Sequence, residues 1–165
     1  MNLHYEMFDW IKRQRSSRGF GIHSPFAYNF VMNVLREKCP YYAYDEIKDP
    51  EHRLIYRVAL SLNPSEVHGA ALPRGLMRNL PPASRCRVKE PFPLYVITKD
   101  TPFVPEDVDA ASFAVIFLGI DPAMKRNLRG LVDRMGDYGM VFSNPRRAVV
   151  VADRNLPRQN FGINF

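Results

Sequence analysis

A histidine directly beside a serine, at His23-Ser24, is the first place in this sequence to look for a nucleophile and its base. Adjacent residues rarely aim at one another, and no acid is placed to orient the histidine, so the pair reads as loop packing and helix capping. His68, just before Gly69, could line a cleft at the carboxyl end of a strand, where open α/β sheets bind ligands, or be an ordinary histidine. Tyr41, Tyr42 and Tyr44 could stack on a base, but packing between helices and a sheet uses the same residues. Lys12, Arg13, Arg15 and Arg18 form the densest basic cluster, with Arg146-Arg147 a smaller second. A net charge of +6 and a pI near 9.5 suit an anionic partner such as nucleic acid. No aromatics interleave with these bases in an RNA-binding pattern, so a solvated helix end is the simpler reading. Cys39 and Cys86 lack metal-ligand spacing and read as buried thiols of a reducing compartment.

The elements that must position these residues centre on Ser112 to Pro145. Phe113-Ala114-Val115-Ile116-Phe117-Leu118 is an unbroken apolar run, as expected of a strand covered on both faces of a parallel sheet. Asp121-Pro122 then starts a helix running to about Met135, and Gly136 and Gly139 bracket a second buried strand, Met140-Val141-Phe142, making a right-handed crossover. Upstream, helices are expected over residues 3–14, 25–38 (stopped by Pro40) and 49–62 (stopped by Asn63-Pro64). A weak strand at 65–69, a short helix within 70–79 broken at Pro73, a strand at 94–98 and an acidic loop at 101–111 follow. Residues 148–152 and 160–165 are two last strands, expected to pair antiparallel at one edge. The 165 residues suffice for one α/β domain, with residues 1–62 a helical segment and 63–165 a sheet core. No apolar run reaches the ~20 residues that span a bilayer, and no leader pattern is seen, so a cytoplasmic protein is expected.

Two stretches carry a family resemblance. Arg18-Gly19-Phe20-Gly21-Ile22-His23-Ser24-Pro25-Phe26-Ala27-Tyr28-Asn29-Phe30, with Tyr41-Tyr42-Ala43-Tyr44-Asp45-Glu46-Ile47, resembles the N-terminal helical segment of a bacterial group of class I S-adenosylmethionine-dependent methyltransferase-like proteins. Leu156 to Phe165 resembles that group's last strand. The strand order between them is similar to the methyltransferase Rossmann-like sheet, mostly parallel with helices on both faces and an antiparallel seventh strand inserted near the edge.

The resemblance implies where S-adenosylmethionine would bind. The family's first strand closes on an acid and a glycine-rich turn, because the cofactor approaches the backbone closely. Here that place reads Ser65-Glu66-Val67-His68-Gly69-Ala70-Ala71-Leu72-Pro73-Arg74-Gly75, with Glu66 at a shifted offset and Pro73 inside the turn. Glu66, His68, Gly69, Gly75 and an acid from Glu90 or Asp100 are the candidate cofactor residues. Asp121 falls beyond the family's first metal position, and Ser143-Asn144 replaces the later Asp-Asn pair, serine being a poor magnesium ligand. Ser143-Asn144-Pro145-Arg146 also partly resembles the Asn-Pro-Pro-aromatic motif of amino-group methyltransferases. Departure at three landmarks implies a shortened, degenerate member without metal or cofactor, acting as an interaction or scaffold module and dimerising through its N-terminal helices. A working methyltransferase with an atypical site, and a nucleic-acid-binding module, are the alternatives. A cofactor cleft between the strand ends at Val67 and Phe117 is expected to be shallow or closed, filled by Leu72, Pro73 and Leu76.

Overall fold

The computed structural model describes residues 3–69, 72–80, 92–101, 103, 108 and 111–165. In chain order they form α1 (Leu3–Ser16), α2 (Pro25–Phe30) continuing as a π-helical turn (Val31–Leu35), a 3-10 turn (Tyr42–Asp45), α3 (Pro50–Leu62), β1 (Glu66–Gly69), α4 (Arg74–Asn79), β2 (Pro93–Ile97), β3 (Phe113–Leu118), α5 (Pro122–Arg134), β4 (Met140–Ser143), β5 (Arg147–Ala152) and β6 (Gln159–Gly162).

The caps explain the helix boundaries. Ser24, Asp49 and Asp121 each accept a backbone N–H of the first turn, and a proline follows each at the first helical position. Asn63 ends α3 in the left-handed conformation, its N–H donating to the Ala59 carbonyl. The second helix stops at Leu35 rather than Lys38. Arg57 of α3 donates to the Val34 and Leu35 carbonyls, and the Glu37 carboxylate takes the N–H groups of Lys38 and Cys39, so the chain turns there.

The six strands form one sheet in the order β1-β2-β3-β5-β4-β6. Pairs β1·β2, β2·β3 and β4·β6 are parallel, whereas β5 runs antiparallel to both of its neighbours, β3 and β4. Five strands therefore share one direction and β5 opposes them. All six residues of β3 are buried, as its composition demands. The expected antiparallel pairing of the last two strands is corrected: β5 is internal, and β6 is a parallel edge strand on β4. A turn over Asn144 to Arg147 returns β5 directly alongside β4, and the all-apolar Ala148 to Ala152 is then wedged between two strands.

Alternate residues feed two cores. Leu94, Val96, Ala114, Ile116, Met140, Phe142 and Val149 face α2, α3 and Leu76 of α4. Val115, Phe117, Val141, Val150 and Ala152 face Met124, Leu131 and Met135 at the α5 side. Phe103 and Val108, within the stretch read as an acidic loop, are buried in this second core. The architecture is a mixed six-stranded sheet between two helical layers. Among the described residues no helix is long and apolar enough to cross a membrane.

Candidate functional site

Because β1, β2, β3, β4 and β6 point the same way, Gly69, the turn at Thr98–Thr101, Gly119, Asn144 and Ile163 all follow the carboxyl ends of strands at one end of the sheet. That end is where ligands enter open α/β sheets.

The five candidate residues are divided among different surroundings. Glu66 opens β1, three residues and so about 10 Å before its carboxyl end. His68 is two residues on, on the same strand face, and its Nε2 lies 3.2 Å from Glu66 Oε2. The imidazole stacks on its cross-strand neighbour Tyr95, with ring centres 5.0 Å apart, and the row continues through Phe103 to Phe117. His68 is thus the outer end of an aromatic row on the α5 face. Gly69 ends β1, and a Cβ there would lie 3.0 Å from Val96 Cβ, 3.1 Å from the Val96 carbonyl oxygen and 3.6 Å from Leu72 Cγ. Gly75 sits inside α4, where a Cβ would come within 3.3 Å of the Glu46 carbonyl oxygen. It lets α4 close on the 3-10 turn, a joint also held by Arg78 and Asn79 on the Glu46 carboxylate. Asp100 is exposed in a turn closed by Thr101 N–H donating to the Thr98 carbonyl at 3.0 Å. Gly69 and Asp100 share the carboxyl end of adjacent strands, while the other three point elsewhere. Leu76 is buried, Leu72 is half-buried and Pro73 is exposed. Glu90, Ala70 and Ala71 lie outside the described residues.

Other suggestive residues have structural partners. Ser24 accepts the Ala27 N–H as a cap, and His23 is exposed. Asp121 caps α5 through the Met124 N–H at 2.7 Å. Asn144 is spent on its own turn: its Oδ1 accepts the N–H groups of Arg146 and Arg147, both at 2.9 Å, and its Nδ2 donates to the Phe165 carbonyl. Tyr41 and Tyr44 pack edge to face with Tyr56, Arg53 lies over Tyr44, and Arg57 donates to the Tyr44 hydroxyl. Burial pushes the Tyr41 hydroxyl above its ordinary pKa. Tyr42 alone of the three projects fully into solvent. Cys39, expected to be buried, is exposed, because the early turn after Leu35 carries it outward. Its hydrogen bond to Glu37 and that carboxylate's charge raise the thiol pKa. Cys86 lies outside the described residues. Among the described residues no group of three His, Cys, Asp or Glu side chains could hold a metal ion.

Most apolar residues of α2 and α3 are spent in the core, although Tyr28 and Leu60 are exposed, and α1 presents Trp10 and Ile11 to solvent. At about 100° per residue, α1 also divides the basic cluster. Lys12 and Arg13 line an open pocket of about 310 Å³ against the sheet. Arg15 and Arg18 line another of about 330 Å³ with Trp10, Ile11 and Phe20. The signal was present in the spacing, since residues 12, 13 and 16 fall opposite 11, 14 and 15 on a helical wheel. No family model, no curated protein and no solved structure matches this chain.

Proposed function

We propose that this chain is a methyltransferase-like protein, Rossmann-like in its sheet, whose cofactor site is closed by its own side chains and which serves as an interaction or scaffold module. The observation that carries the proposal is the packing at Gly69. A cofactor needs the open backbone of a glycine there, and Gly69 is packed so closely that even a Cβ would lie 3.0 Å from Val96 Cβ and 3.6 Å from Leu72 Cγ. The sheet is compatible with the fold, since a single antiparallel strand, β5, is inserted among strands of one direction. Glu66 turned toward His68, and Gly75 packed on Glu46, leave the other glycine and acid of that turn in structural roles. The module works in the cytoplasm without metal or cofactor, and α1 is the surface of the helical segment open to a second copy.

Asp100 favours one competing reading, a methyltransferase with an atypical site, because it stands exposed beside the carboxyl end of β1's neighbour. Thermal unfolding with saturating S-adenosylmethionine separates the two. A ligand at a hundred times its Kd adds about 2.7 kcal/mol to the native state and raises the melting temperature by several degrees. The proposal expects no rise; a rise establishes the competing reading.

A further inference from the structure

The pocket between α1 and the ends of β4 and β6 has the chemistry of an anion site. Lys12, Arg13 and Ser16 line it from the helix, and Ser143 and Gly162 from the two strand ends. Among the described residues no acidic side chain lines it. Among the described residues the contacts between basic and acidic side chains are His68–Glu66, Arg78–Glu46 and Arg147–Glu51, and none of them involves Lys12 or Arg13. Arg13 is held in place. Its Nε donates to Asn164 Oδ1 at 3.2 Å, which orients the guanidinium through an atom other than its terminal N–H groups. Gly162 makes this geometry feasible, because even a methyl group there would press to 3.2 Å on Arg13 Cγ. Asn144, held through its Oδ1 by the N–H groups of its own turn and through its Nδ2 by the Phe165 carbonyl, forms a fixed wall.

We propose that this pocket binds a small ligand through a phosphate group. A guanidinium held at its Nε, an exposed ammonium and two serines line it from a helix and a strand end, a mixed set of donors that suits the three oxygens of a phosphate better than the two of a planar carboxylate. The volume of about 310 Å³ is at the lower end of small-molecule sites and leaves room for a substituent beyond the phosphate itself. The site is independent of Gly69 and stands or falls separately from the cofactor question.

The test is calorimetric titration of the full chain with inorganic pyrophosphate at constant ionic strength, for the native protein, Lys12→Ala and Arg15→Ala. Lys12 is exposed, so its truncation leaves the fold intact. Saturable binding that weakens on the order of tenfold in Lys12→Ala and is unchanged in Arg15→Ala is expected. Absence of saturable binding overturns the proposal. So does equal weakening in both variants, or a single-stranded oligonucleotide whose binding falls equally in both, since either assigns the charge to a diffuse nucleic-acid surface rather than to this pocket.

Discussion

The side chain of Ser17 accepts the backbone N–H of Asn164 at 2.7 Å, joining residues 147 apart in sequence. Ser17 is fully buried, and its carbonyl also receives Arg36. Asn164 answers with its own side chain, accepting from Arg13 Nε and donating to Gln14 Oε1. The end of α1 and the segment after β6 therefore meet in one joint. Ser17→Ala leaves the part-buried Asn164 N–H without this acceptor and should cost about 1 kcal/mol in urea unfolding. Asn164→Ala keeps the N–H bonded and should cost less; the reverse order would show that the side-chain bonds dominate the joint.

Gly136 and Gly139 share the left-handed backbone, with φ of 65° and 84°, but differ in space. A Cβ on Gly136 meets nothing within 4 Å, so Gly136→Ala should cost only the conformational penalty of about 1–2 kcal/mol. A Cβ on Gly139 would press on Met135 and lie 2.9 Å from the Val151 carbonyl oxygen, adding roughly 1–3 kcal/mol. Chemical denaturation of the two variants checks the order, and equal losses would contradict the close packing of α5 on β5.

The buried runs were legible because burial on both faces leaves only apolar choices, as in Phe113 to Leu118. Helix starts were legible at Ser24, Asp49 and Asp121 because a cap and its proline are local. The placement of β5 was not, since Ala148 to Ala152 reads the same in an internal or an edge strand and its neighbours are chosen by long-range pairing. The candidate site was legible only as residue types. Whether Gly75 frees backbone for a cofactor or admits Glu46 depends on what lies opposite, which no local pattern encodes.

Burial works to raise the Asp49 carboxyl, but the N–H groups of His52 and Glu51 together outweigh it and hold its pKa below the ordinary value. A depressed carboxylate stabilises the fold above its unfolded pKa of about 3.9 and loses that contribution as pH falls through the folded value. Denaturant midpoints measured from pH 5 downward should fall less steeply below about pH 4 in Asp49→Asn than in the native chain. Asp49→Ala should cost about 1 kcal/mol at neutral pH. An unchanged acid limb would remove Asp49 from the account of acid sensitivity.

Cys39 is exposed yet held as a thiol by Glu37, whose own pKa is lowered chiefly by the Cys39 N–H. Since the thiolate is the reactive form, disulfide-exchange labelling in a Cys86→Ser background should be slower at pH 8 than for a free peptide thiol, with its midpoint displaced upward. Glu37→Gln should quicken it. Labelling at the peptide rate in both proteins would contradict the hydrogen bond.

Isothermal titration with S-adenosylhomocysteine tests the closure at Gly69 most directly, because the product analogue needs no methyl acceptor to bind. If the proposed closure holds, no saturable heat is expected at micromolar concentrations. A micromolar Kd that is lost in Asp100→Ala would contradict the closed site and establish a working cofactor pocket at the carboxyl ends of β1 and β2.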